Sequence, residues 1–159
     1  MPKSELQLRF RIWGPHLDPT QLTDAMDIEP TSTFLVGESR GSYAHDRASW
    51  QWWSEIGSST EPLFEKLLAL FEPHVGLLAS CGDAGADLSL SAVGSISGDL
   101  VDSEAEADRR NIFSGEGSGF QPFVDADRVG IYLDPRLIRF MADIGAAFET
   151  HIDLEVSDC

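Results

Sequence analysis

The stretch Leu6-Gln7-Leu8-Arg9-Phe10-Arg11-Ile12-Trp13 alternates apolar with polar or amphipathic side chains without a break. Successive side chains of an extended strand point to opposite faces. Leu6, Leu8, Phe10 and Ile12 therefore predict a buried face, and Gln7, Arg9, Arg11 and Trp13 predict the other. A strand of this kind must cover its apolar side with a second layer, so its neighbours in the chain decide the fold class.

Immediately downstream, Leu17-Asp18-Pro19 reads as a helix start, with Asp18 as N-cap, Pro19 at the first helical position and Leu22 and Met26 on one face. Pro30 stops that helix, and Thr33 to Val36 reads as a short strand. After a Gly-Ser loop from Gly37 to Ala48, Trp50 to Trp53 predicts a strand with Trp50 and Trp52 on one side and Trp53 on the other. Thr60 is expected to cap a helix with Leu63, Leu67, Leu70 and Phe71 as its apolar stripe. Pro73 breaks it, a shorter helix follows through Val75, Leu77 and Leu78, and Gly82 and Gly85 mark a turn. Leu88, Leu90 and Ala92 then alternate with Ser89, Ser91 and Val93, predicting another strand.

The chain changes character over about 98–127. From Asp99 to Asp127, eight acidic residues oppose two basic ones, and Gly115, Gly117 and Gly119 interrupt any periodicity. This composition predicts a mobile acidic insertion. Beyond it, Val129, Ile131 and Leu133 are expected as a strand. Leu133-Asp134-Pro135 opens a helix through Leu137, Ile138, Met141 and Ile144, ended by Gly145, and Phe148 to Val156 forms a closing strand. Leu17-Asp18-Pro19 and Leu133-Asp134-Pro135 match as an internal repeat, which would also pair Leu22 with Ile138, Asp27 with Asp143 and Ile28 with Ile144. The expected architecture is a single two-layer α+β domain over 1–159. Its sheet is mixed or antiparallel, its helices lie mainly on one face, and pseudo-repeated strand-helix-strand units stand at the N- and C-terminal ends.

Composition bounds the function. The chain has 159 residues, 42% hydrophobic and 24% charged, as folded domains do. Its 27 acidic against 11 basic residues give a formal charge of −16. Such a field repels nucleic-acid backbones and anionic membranes, favours a basic protein partner and aids solubility. The N-terminus lacks the apolar core of a secretory signal and no apolar run is long enough to span a membrane, so the cytoplasm is the expected compartment. Two cysteines, Cys81 and Cys159, make neither a disulfide framework nor a zinc site, and no cofactor is expected.

Taken together, the opening strand, Leu17-Asp18-Pro19 with Leu22-Thr23, Ile28-Glu29-Pro30-Thr31, the Gly37 loop leading to Trp50, the Leu67-Leu68 helix and the Gly145 to Val156 segment resemble the domain of unknown function 4279 family over nearly the whole chain. The resemblance implies a small bacterial α+β protein and carries over no catalytic residue. By analogy with other small acidic bacterial domains, it suggests an immunity protein, one that blocks a toxin by binding it.

Three patterns bear on chemistry. Gly37-Glu38-Ser39-Arg40-Gly41 spells a nucleophile elbow, but no helical stripe follows the serine, so it reads as a loop. On the closing strand, Glu149, His151, Asp153 and Glu155 share one face. An imidazole among carboxylates suits acid-base work or a metal ion, with His151 and Asp153 the candidate ligands. The third pattern is parity across all the strands. It places Arg9, Arg11, Trp13, Trp53, Ser89, Ser91 and Tyr132 on the side away from the core, beside Glu149, His151 and Asp153. Exposed aromatic and arginine side chains on a flat sheet are typical anchors of interfaces. The first expectation is therefore an immunity-type inhibitor meeting a basic protein through this face and the acidic insertion. The alternatives are a small metal-dependent or acid-base enzyme built on His151 and Asp153, and a structural homodimer joined through the same face.

Overall fold

The computed structural model describes residues 3–41, 43–101, 123–125, 131 and 133–157. Strand β1 (Lys3–Gly14) is followed by helix α1 (Pro19–Met26), β2 (Ser32–Phe34), the two-residue strands β3 (Ser39–Arg40) and β4 (Tyr43–Ala44), and β5 (Ala48–Trp53). Helix α2 (Thr60–Phe71), a short 3-10 turn (Glu72–His74) and α3 (Val75–Asp83) lead into β6 (Asp87–Val101). Strand β7 (Phe123–Asp125), α4 (Pro135–Ile144) and β8 (Ala147–Ser157) complete the described elements.

The main sheet runs β2-β5-β1-β6, all antiparallel, and β8 adds to β6 in parallel, so the sheet is open and mixed. Asp99 pairs with Ser157 of β8 and with Asp125 of β7, which puts these two strands on opposite edges of β6. β7 therefore prolongs the row begun by β1. The helices cover one face, giving the expected α+β two-layer architecture.

The alternation in β1 is realised in full. Leu6, Leu8, Phe10 and Ile12 are buried against the helices, whereas Gln7, Arg9, Arg11 and Trp13 are only half-buried. Phe71, the last residue of α2, is the hub of the core. Its ring centroid lies 4.6 Å from Phe10, 5.4 Å from Trp52 and 6.0 Å from Trp50. Edge-on and tilted contacts of this kind add to the area that aromatic rings bury. Trp50, fully buried, donates its Nε1 hydrogen to Thr23 Oγ1 at 3.0 Å, which satisfies the indole and ties α1 to β5. Gly94 faces Leu6 across the strand pair, and a Cβ there would sit 2.4 Å from the Glu5 carbonyl oxygen. Only glycine fits that close approach.

Both Asp-Pro helix starts form as expected. The Asp18 carboxylate accepts from the Thr20 and Gln21 amides and that of Asp134 from the Arg136 amide, with proline at the first helical position in each. Beyond the caps the match is partial: Ile28 and Ile144 are both buried, as paired, but other pairs differ. Leu22 is buried but its expected counterpart Ile138 is 48% exposed, because α4 buries Leu137, Phe140, Met141 and Ile144 instead. α4 is also two residues longer, so Asp27, the left-handed C-cap of α1, corresponds in position to Gly145 rather than to Asp143. In α2, Leu70 is exposed while Phe64 and Leu68 pack inward, and the N-cap position is Ser59 rather than Thr60. Ile131 and Leu133 pack against the core without belonging to a strand. Thr150, on the opposite parity of β8 from Glu149 and His151, is exposed as they are.

The segment expected as a mobile insertion begins and ends in paired strand, since β6 continues to Val101 and β7 spans Phe123–Asp125. The rest of it, 102–122 and 126–127, lies outside the described residues, as do Val129, Tyr132 and Cys159.

Candidate functional site

Strand β1 sets the centre of the sheet face that is helix-free among the described residues. Its register places Trp13 opposite Ser49 of β5, Arg11 opposite Gln51 of β5 and Ser89 of β6, and Arg9 opposite Trp53 of β5 and Ser91 of β6. β8 extends the rows, with Ala147 beside Ser89, Glu149 beside Ser91 and His151 beside Val93. Ser49, Ser89 and Ser91 are all buried, at 3%, 3% and 0% exposure, although none of the described helices covers this side. Each stands next to a large β1 side chain. A serine is small enough for an arginine or tryptophan to lie across it.

The two arginines rest on the two tryptophans. The guanidinium carbon of Arg9 lies 5.4 Å from the Trp53 ring centroid, and that of Arg11 lies 4.5 Å from the Trp13 ring centroid. Cation-π contacts of this geometry contribute about 0.5–2 kcal/mol each, most when desolvated. Arg9 and Arg11 are two residues apart on one strand, roughly 7 Å between Cα atoms, so their like charges oppose each other. Burial first, and the charge of Arg9 second, push the Arg11 pKa down, while Glu149 pulls it up. Arginine stays charged in any protein environment, so the pair remains a double cation.

Three polar atoms of this face lack a hydrogen-bond partner among the described residues. Arg9 Nε, Arg11 Nε and Ser91 Oγ are buried and have no partner among the described residues. A buried polar group left unpaired costs about 1–3 kcal/mol.

The structure brings Arg9, Arg11, Trp13 and Trp53 together as parity predicted. Glu149 sits at the border of this cluster, and its Oε2 is 3.4 Å from His151 Nε2. His151 and Asp153 continue along the exposed edge of β8, beside the rows of Gln7 and Glu5. Among the described residues, no group of three or more His, Cys, Asp and Glu side chains is placed to hold a metal ion. Tyr132 lies outside the described residues. Sequence reasoning put Ser89 and Ser91 on this face but missed that they are buried. The available signal was their position, small residues alternating along β6 between an arginine strand and a glutamate strand.

Two other features carry less chemistry. Gly37 to Gly41, with its elbow-like spelling, forms the β3–β4 hairpin, in which Ser39 pairs with Ala44. A cavity of about 310 Å³ between α1, α3 and the turn before β6 is lined in part by His16, Asp18 and Cys81. Burial pushes the Cys81 thiol pKa up, away from nucleophilic reactivity, and Asp18 is committed to its cap.

An open mixed sheet, covered by the described helices on one face and carrying arginine and tryptophan on the other, defines a two-layer α+β domain. The family described as Domain of unknown function (DUF4279) matches residues 4–108, and the chain belongs to that family. The match covers β1 through β6 and stops before α4 and β8, although the sequence resemblance had been carried to Val156. No match was found among curated proteins or solved structures.

Proposed function

We propose that this chain is a binding protein of the immunity-inhibitor kind, acting in the cytoplasm, that meets a cationic protein through the helix-free face of its sheet. The observation that carries this reading is the half-buried pairing of Arg9 with Trp53 and of Arg11 with Trp13 at the centre of that face. Tryptophan and arginine are the residue types most enriched among interface anchors. Rigid, stacked side chains also lose little freedom on binding. The net charge of −16 supplies long-range attraction toward a basic surface and disfavours nucleic acid as the partner. At closer range, Glu149 and Asp153 offer carboxylates along β8. Among the described residues, no helix is long and apolar enough to cross a membrane.

Affinity capture on the immobilised protein tests the reading, comparing wild type, Trp13→Ala/Trp53→Ala and the helix-side control Ile138→Ala. The expected result is a cationic protein held at low salt and released by high salt. The double variant should weaken its affinity by at least about 2 kcal/mol, roughly thirtyfold. Ile138→Ala should retain it. Capture that ignores both salt and the two tryptophans contradicts the reading.

A further inference from the structure

The two edges of the main sheet are built differently. β2 supplies one edge with three residues, just after Pro30, and short, proline-flanked edges of this kind resist pairing with other chains. β8 spans eleven residues without a proline, a glycine or a lysine, and among the described residues it pairs with β6 alone. Every second residue of such a strand turns its N–H and C=O outward, which is a template for another strand. The side chains leave room for one. Glu149, Thr150, His151 and Asp153 are exposed. Phe148 and Ile152, on the parity that faces the helices, are only half-buried, although the Phe148 ring centroid lies 6.4 Å from that of Phe64 in α2.

We infer that β8 accepts an added strand, an extended cationic segment of the protein partner that pairs along its outer edge. The inference rests on the reading of this chain as a binder of a cationic protein, and it names the part of that protein which β8 holds. In strand addition the main-chain hydrogen bonds supply affinity and alternate side chains supply specificity. Glu149 and Asp153 stand on one face of β8. Lysine or arginine at alternate positions of the incoming strand comes within about 8 Å of these carboxylates, directly opposite or diagonally. On its other face, apolar or β-branched side chains of the same strand cover what Phe148 and Ile152 leave open. A second copy of β8 fits poorly. Paired antiparallel around a two-fold axis, it brings its own Glu149 and Asp153 to the same acidic face, and each chain carries −16.

Backbone amide hydrogen exchange of the full chain, read by NMR, tests this with a capped peptide of about eight residues in which lysine alternates with valine and threonine. One control peptide has the same composition in an order without alternation. Another is N-methylated throughout, which keeps the charges and removes every backbone donor. At saturation with the alternating peptide, amides of alternate residues between Ala147 and Asp153 should exchange about tenfold more slowly, and those of Ser32–Phe34 should not change. The dissociation constant should be on the order of 100 μM at low salt and should rise with salt. Both control peptides should bind about tenfold more weakly. Glu149→Gln/Asp153→Asn should weaken the alternating peptide roughly tenfold. Both side chains are exposed, so this variant keeps the fold. Equal affinity for all the peptides, or binding that leaves β8 exchange unchanged, overturns the inference. Slowing at β8 with rising protein concentration and no peptide assigns the edge to a second copy and also overturns it. Tryptophan-dependent capture without peptide protection at β8 removes the edge alone. Protection at β8 without such capture leaves the edge standing and removes the sheet-face reading.

Discussion

Phe10 and Arg11 are neighbours on one strand, yet they belong to opposite regimes. On the helix-covered face, Leu6, Leu8, Phe10, Ile12, Trp50, Leu88, Leu90 and Ala92 are all buried and all apolar, so each adds to the free energy of folding. On the helix-free face, the same strands supply Arg9, Arg11, Trp13, Trp53 and three buried serines, including a hydroxyl that makes no hydrogen bond among the described residues. Packing alone accounts for the first set. The second set departs from what stability would select, and such departures concentrate where a protein binds or reacts.

Breaking the comparison starts on the covered face. Phe71→Ala removes the ring that Phe10, Trp50 and Trp52 all contact, and should cost about 3–5 kcal/mol in urea denaturation. Gly94→Ala pushes a methyl group into the Glu5 carbonyl and Leu6, and should cost about 1–3 kcal/mol by the same measurement. If either variant melts like wild type, the core is not organised around these contacts.

The outer surface of the helix layer gives a smaller, pH-dependent effect. Arg136 Nε donates to Glu72 Oε1 at 2.8 Å, and Arg136 holds the Glu72 carboxyl below its ordinary pKa, chiefly by hydrogen bonding and further by charge. A carboxylate whose pKa is depressed on folding stabilises the fold above its unfolded value, roughly 4.3. That contribution disappears as the pH falls through the folded value. Thermal melts of wild type and Arg136→Met should therefore differ by a constant amount near neutrality and converge below about pH 4. A gap that persists into acid would show that the pair does not titrate as described.

Much of this was legible in the chain. The alternation at Leu6 to Trp13 fixed both the inward and outward sets of β1, because one face of a strand must be buried for the register to matter. Both Asp-Pro caps were readable for a local reason, since the side chain and the amides it binds are two or three residues apart. The phase of the helix stripes was not. Leu70 and Ile138 fit the period as well as Phe64 and Phe140 do, and only the surface of the sheet decides which set is buried. The parallel pairing of β8 with β6 is long-range and leaves no local trace. The same holds at the site. Parity found Arg9, Arg11, Trp13 and Trp53, but the register that sets Ser91 between Arg9 and Glu149 joins strands distant in the chain.

The most direct test is the urea unfolding free energy of Ser91→Ala in a chloride-only buffer. An unsatisfied buried hydroxyl replaced by a methyl hydrogen should leave stability unchanged or raise it by up to about 1 kcal/mol, which would show that the hydroxyl does not serve the fold. A loss of about 1 kcal/mol or more would mean that the hydroxyl is already satisfied within the chain, and would contradict the proposal that this face is a recognition surface built at a cost to stability.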